Sequence, residues 1–249
     1  VTSGPPLRRT GLLGTDHHVH STWSDDAVST PAENLAAADT AGLVSVRMVD
    51  HVRTSTTWVP EFLAEIRALP PVVGLQVLTG VEAKLLDASG SLDVPPDLVV
   101  GAGGVDRVLI ADHQFPGPDG PWSPRRTREE MARGLSSQDA LGILVTATVR
   151  AMERVGRGQL AHVFSLLPKI GLSEDDLLDE HLGAVADAAR RTGTLVEVNE
   201  KWACPGARML RACCAAGVPL VASTDSHAAT AIGSYDWVAE PAPPVPVPG

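Results

Sequence analysis

The stretch Leu12-Leu13-Gly14-Thr15-Asp16-His17-His18-Val19-His20 decides how the chain is read. It opens as an apolar strand and closes on histidines. Side chains alternate along a strand. His18 and His20 are therefore expected on one face together with Asp16, and His17 and Val19 on the other. Two imidazoles at i and i+2 can grip one metal ion. Asp225 and His227 repeat that spacing at the end of the apolar run Pro219–His227.

Between these runs, strand-like and helical patterns alternate. Strands are expected at Leu12–His20, Leu43–His51, Leu75–Glu82, Arg107–His113, Gln159–Val163, Thr194–Asn199 and Pro219–His227. Helices are expected at Pro31–Ala41, Pro60–Leu69, Thr127–Leu135, Ser137–Val155, Ser173–Arg191 and Gly206–Ala216. Thr30 suits an N-cap with Pro31 in the first turn. Glu174-Asp175-Asp176 suits the start of the fifth of these helices, and Gly217 a C-cap of the last. Seven strands alternating with helices imply an α/β fold with a parallel sheet. On this evidence it is either a closed barrel or an open doubly wound sheet. No glycine-rich phosphate fingerprint follows the first strand, which disfavours the nucleotide-binding open sheet. Residues 1–10 read as a flexible lead-in, 11–238 as a single domain and 239–249 as a Pro-rich disordered tail.

Composition narrows the function classes. The 249 residues carry a net charge of −10, without the basic balance typical of nucleic-acid binders. Bound metal can still supply positive charge for phosphate chemistry. Cys204, Cys213 and Cys214, an odd set with two adjacent, do not read as a disulfide framework. No apolar run approaches the roughly 20 residues of a membrane span. No basic-then-apolar leader opens the sequence, so the cytoplasm is the expected location.

Six histidines, His18, His20, His51, His113, His162 and His227, fall at or near the C-terminal ends of expected strands. In β/α barrels the active site is built there. Glu82 closes the third strand, and a carboxylate among imidazoles can bridge two cations. A lone histidine is most simply a packed or surface residue. Six of them, with Asp25, Glu82 and Asp225, point to a metal centre. His17, expected to face the helices, and His181, within a helix, are set aside.

Asp16-His17-His18-Val19-His20-Ser21 with Ser24-Asp25 resembles the first motif of the PHP (polymerase and histidinol phosphatase) family. Val49-Asp50-His51 resembles the second and Gly80-Val81-Glu82-Ala83 the third. Ala111-Asp112-His113, Leu160-Ala161-His162 and Ser223-Thr224-Asp225-Ser226-His227 resemble the later ones. The resemblance spans roughly Gly14 to Gly233. It implies a distorted seven-stranded (β/α)7 TIM-like barrel and three divalent ions. The implied ligands are His18, His20, Asp25, His51, Glu82, His113, His162, Asp225 and His227. One ion would sit with His18, His20, Glu82 and Asp225. Glu82 would bridge to a second held by His113 and His162, and Asp25, His51 and His227 would hold the third. Departures lie around the ligands, at Val49, Val52-Arg53 and Val163.

The expected activity is metal-dependent hydrolysis of a small phosphomonoester, by hydroxide formed at the ions. Zinc, manganese and iron all suit such mixed ligands. Arg53, Lys84 and Lys201 are expected to grip the substrate, with Trp122, Arg125 and Arg126 on a lid over 114–127. Glu197 and Asn199 share a face of the sixth strand and are expected behind the ligands or at the substrate; Asp16 is expected to orient a ligand imidazole. The alternatives are hydrolysis of a phosphodiester or a non-phosphate compound, an exonuclease module, and a non-catalytic metal-binding module. No nucleic-acid or membrane partner is expected.

Overall fold

A computed structural model describes residues 8–240 of the chain. The first seven residues of the expected lead-in, and the expected tail from 241 on, lie outside the described residues. Arg8 and Arg9, expected in the lead-in, are tied down. Arg8 donates to Leu43 O and pairs with Asp39 at 2.8 Å, and Arg9 reaches Gly233 O.

The strands are β1 (Thr15–Val19), β2 (Ser45–Val52), β3 (Gln76–Lys84), β4 (Arg107–Ala111), β5 (Phe115–Gly117), β6 (Gly120–Trp122), β7 (Gln159–Ala161), β8 (Leu195–Asn199) and β9 (Leu220–Ser223). The helices are α1 (Pro31–Thr40), α2 (Val59–Ala68), α3 (Pro124–Ala132), α4 (Ser137–Val155), α5 (Leu167–Ile170), α6 (Asp179–Thr192) and α7 (Ala207–Ala216). Seven strands form one parallel sheet in the order β1-β2-β3-β4-β7-β8-β9. Its two edges meet where His20 N–H donates to Ser226 O at 2.8 Å. The result is a nearly closed, distorted (β/α)7 barrel. Among the described residues, no helix is long and apolar enough to cross a membrane.

Local chemistry explains the frame. Thr30 caps α1 reciprocally with Glu33, and Pro31 fills the first turn. Gly217, at φ 71°, closes α7 in the left-handed region that glycine enters without penalty. Apolar residues on the outer strand faces pack under the helices; Phe62, Met48, Leu144, Met152 and Leu160 are fully buried there. Each such side chain contributes about 1.5–3 kcal/mol through burial. Inside the barrel the filling is small: Val49, Leu109, Ala111 and Ala161. A Cβ at Gly80 would lie 2.9 Å from Leu109 Cδ1 and 3.2 Å from Arg47 Cδ. Only glycine leaves that interior layer its space.

Three expectations change. The helix expected over Ser173–Arg191 is interrupted. Ser173 and Asp176 cap one another around a single 3-10 turn, and α6 starts at Asp179 with its own acidic residues. The strand expected to reach His227 stops at Ser223, because Asp225 takes φ 50°. The expected 114–127 loop is the β5–β6 hairpin followed by the start of α3.

Candidate metal centre

The C-terminal strand ends bring His18, His20, His51, Glu82, His113, His162, Asp225 and His227 together. Their ligand atoms form three groups, each within 4.8 Å: His18, His20 and Asp225; Glu82, His113 and His162; His20, His51 and His227. Sheet register creates the contacts. His51 and Glu82 are direct partners across β2 and β3, so their side chains share a face. His162 and Asp225 sit just past their strands with φ of 33° and 50°. Such backbone costs about 1–3 kcal/mol per residue and tends to persist where the surroundings require it.

Glu82 is the hub. Its Oε1 lies 3.0 Å from His113 Nε2 and 3.0 Å from His162 Nε2. Its Oε2 lies 2.9 Å from His51 Nδ1, 3.4 Å from His18 Nε2 and 3.5 Å from His20 Nε2. Despite these neighbours, Oε2 is buried without a hydrogen-bonding partner. Nitrogens close to a carboxylate oxygen yet out of line for hydrogen bonds suit a shared cation.

The imidazole protons support that reading. Glu197 Oε1 lies 2.9 Å from His18 Nδ1. An ionised carboxylate only accepts, so Nδ1 carries a proton and Nε2 is the coordinating atom. Ser24 Oγ spends its own proton on Asp50 Oδ1 at 2.7 Å, leaving it to accept from His20 Nδ1 at 3.3 Å. The two Nε2 atoms then face each other at 3.0 Å, an approach that needs a proton or a cation between them. Burial opposes charge on His18, yet Glu197 and Glu82 raise its pKa well above the ordinary value. A proton therefore takes that place in the metal-free chain. Burial lowers His20 to about 4, although Asp225 Oδ1 lies 3.2 Å from its Nε2 and acts the other way, which leaves a neutral imidazole. Glu82, though burial works against its charge, is held well below the ordinary range by the imidazoles around it.

Two expected residues change place. Asp25 is 80% exposed at its side chain and meets only Arg53, at 3.9 Å. Its neighbour Asp26 instead reaches His227 Nε2 at 3.2 Å and His51 Nε2 at 3.5 Å. The turn after His20 aims the second aspartate, not the first, at the cluster. Asp26→Ala is therefore expected to cost about 10-fold or more in kcat/KM and Asp25→Ala less than about 2-fold, as read by steady-state kinetics at saturating metal. Equal losses in the two variants would contradict the assignment.

Asp16 reaches no imidazole. The register between β1 and β2 shifts between Asp16 and Val19, so the simple alternation fails across His17 and His18. Asp16 instead accepts from Thr224 N at 3.0 Å, Thr224 Oγ1 at 2.6 Å and Gly233 N at 3.0 Å, and so fixes the backbone beside Asp225. Burial pushes its pKa up to about 6 against these bonds. The same shift turns His17 away from the helices, to within 3.2 Å of Ser45 Oγ.

No family model matches the chain. A "Probable phosphatase" of Acetivibrio thermocellus is 26% identical over 233 residues, covering 90% of this chain and 83% of that protein. Another of Photobacterium profundum is 34% identical over 102 residues, 40% of each chain. Among solved structures, a histidinol phosphate phosphatase from Lactococcus lactis, complexed with zinc, L-histidinol and phosphate, superposes with a TM-score of 0.61. It is 15% identical and aligned over 90% of this chain and 88% of that one. The chain is a phosphoric ester hydrolase, similar to these phosphatases over about nine-tenths of its length.

The phosphoesterase opens to solvent over its cluster through a cleft of about 330 Å³. Arg53, Lys84 and Lys201 line it, with Asp93 and Trp202. Lys201 Nζ lies 3.2 Å from Asp225 Oδ2, and Trp202 Nε1 donates to the same oxygen at 2.7 Å. Lys84 Nζ is 3.8 Å from Asp93. Trp202 and Asp93 carry no sequence signal, because loops bring them in from beyond β8 and β3. Asn199 does not face the cleft. It is fully buried and donates to Glu197 Oε2 at 3.0 Å.

Trp122, Arg125 and Arg126 also leave the expected site. Trp122 is buried and stacks on Phe115, with ring centroids 5.6 Å apart. Arg126 pairs with Asp119 at 2.8 Å and lies over the Trp122 ring. Arg125 pairs with Glu129 along α3 at 2.7 Å. Hairpin closure uses these side chains locally, and none lines the cleft.

Proposed function

We propose that this phosphoesterase hydrolyses a small phosphomonoester, histidinol-phosphate-like in size, at a centre of three divalent ions. The observation that carries the reading is Glu82, a buried carboxylate with one unpartnered oxygen among five imidazoles. His18, His20 and Asp225 would hold one ion with Glu82. His113 and His162 would hold a second through the same carboxylate, and His51, His227 and Asp26 a third. Zinc, manganese and iron all suit these donors. Divalent ions in such a site supply Lewis acidity, which acidifies a water near neutral pH and neutralises phosphoryl oxygens.

The chain's own residues supply the rest. Glu197 and Ser24 fix the protons of His18 and His20, so that their Nε2 atoms face inward. Lys84 and Lys201 bring positive charge to the rim, where a phosphoryl group would enter. A cleft of about 330 Å³ suits a compact ester. A further recess, sharing Asp25, His51 and Arg53 with the cleft, is lined by Trp23 and Trp58 and gives a leaving group aromatic surface. The test is a screen of small phosphomonoesters with chelated protein given zinc, manganese or iron in turn. Turnover of at least one monoester only with added metal is expected. No turnover of any ester, with Glu82→Gln indistinguishable from the parent, would refute the proposal.

Proton competition sets a pH dependence. Burial opposes a charge on His162, but hydrogen bonds to Asp112 and Glu82 raise its pKa to about 10. The folded pKa exceeds the unfolded value, so this proton stabilises the metal-free chain fully below about 6.5 and progressively less up to about 10. Metal must expel it. The gap in Tm between metal-loaded and chelated protein is therefore expected to widen from pH 6.5 towards 9. A gap that narrows over that range in calorimetry would contradict the coupling.

A further inference from the structure

At the end of the barrel opposite the histidine cluster, the strand N-termini surround a cavity of about 1110 Å³. Arg47, Arg67, Arg107 and Arg157 line it, and Asp106 is the one carboxylate among the lining residues. That carboxylate is already engaged: its Oδ2 accepts from Thr79 N at 2.7 Å and Thr79 Oγ1 at 3.1 Å. Such a concentration of positive charge stands out on a chain of net charge −10.

Arg47 is the telling residue. It projects from β2 into the barrel, with its stem against Gly80, and is only 2% exposed. Its Nη1 donates to Thr79 O at 2.8 Å, while its buried Nε has no partner. Among the described residues it forms no ion pair; the arginines that do are Arg8, Arg53, Arg125, Arg126, Arg133, Arg191 and Arg208. Buried arginines are almost always paired, because an isolated charge is costly away from water. His17 lines the same cavity, also buried, with Nδ1 unpartnered. Burial, with the charge of Arg107, lowers Arg47 to about 10, although Asp106 and Glu197 act the other way.

We infer that this cavity binds a small oxyanion, phosphate or the phosphoryl end of a small metabolite, with Arg47 at its floor and Arg107 and Arg157 around it. Guanidinium groups match the fork of two phosphate oxygens. Only a small anionic group could reach Arg47, which lies within the barrel. The site shares no lining residue with the cleft over the histidine cluster, so it does not depend on which ester is hydrolysed there.

The test is thermal unfolding of metal-stripped protein against rising inorganic phosphate or glycerol 3-phosphate, with sodium chloride at matched ionic strength as the blank. A ligand bound only by the folded state raises Tm in a saturable way. That rise is expected for the parent chain and for His113→Ala, and is expected to vanish in Arg47→Met and Arg107→Gln. Without anion, Arg47→Met should melt no lower than the parent, since an apolar side chain of similar length replaces an unpaired charge. Saturation at lower concentration with glycerol 3-phosphate assigns the phosphoryl end of a metabolite; saturation at lower concentration with phosphate assigns the free anion. No saturable rise in the parent, or an undiminished rise in Arg107→Gln, overturns the inference. Loss of the rise in His113→Ala alone does so too. Arg107→Gln keeps the test decisive if Arg47→Met fails to fold.

Discussion

Glu82→Gln is expected to lower kcat/KM by about 10³-fold or more and to strip the protein of most of its bound metal. The substitution preserves shape and removes charge. In the parent, the two carboxylate oxygens meet five imidazole nitrogens from four strand ends, at 2.9 to 3.5 Å. An amide keeps one acceptor and presents an NH2 group to nitrogens that need a cation or a carboxylate. Two of the three ligand groups depend on this side chain in the proposed arrangement, so the loss should not divide into a small KM effect and a small kcat effect. Steady-state kinetics together with metal analysis by mass spectrometry checks this. A variant with full metal content and a loss below about 10-fold would remove Glu82 from its bridging place.

The second large effect is expected at Glu197, which touches no solvent. Its carboxylate accepts from His18 Nδ1 at 2.9 Å, Gln159 Nε2 at 2.7 Å, His162 N at 3.1 Å, Asn199 Nδ2 at 3.0 Å and Ser223 Oγ at 2.9 Å. Every partner donates, so the ionised form is the one the surroundings hold. Burial works against that charge, but His18 and its other partners keep the pKa below the ordinary value. Glu197→Gln turns one acceptor into a donor facing other donors. Removing one side of a buried charged pair costs about 3–5 kcal/mol. Losing the group that orients a ligand imidazole costs about 10–100-fold in metal affinity or activity. Both effects should appear, in calorimetry and in metal titration of the folded variant. A stability loss with unchanged metal affinity would make Glu197 a packing residue and not the one that positions His18.

How much of this was legible in the sequence follows from which forces are local. The seven strands and most helices could be read because apolar runs, Thr30, Pro31 and Gly217 act over a few residues. The gathering of histidines at strand ends could be read because parallel barrels put loop chemistry there. What could not be read depended on register. The shift between β1 and β2 swings Asp16 onto Thr224 and Gly233 and His17 into the barrel, and a strict two-residue period has no means of showing it. Asp25 and Asp26 are neighbours in one turn, and only the backbone path after His20 separates them. Trp122, Arg125 and Arg126 suggested a lid by their type and place, but their partners, Phe115, Glu129 and Asp119, show hairpin and helix packing instead. Arg47 gave no signal at all, because its meaning lies in a burial without an ion pair among the described residues, which only the fold creates.

The most direct test of the central claim is a titration of chelated protein with zinc, followed by turnover of an aromatic phosphomonoester and by bound metal per chain. Activity is expected to be absent in chelator, to rise with bound metal and to level off as the sites fill. Glu82→Gln should remain inactive throughout. Full turnover in the chelated protein, or saturation with metal without any turnover that depends on Glu82, would contradict the account.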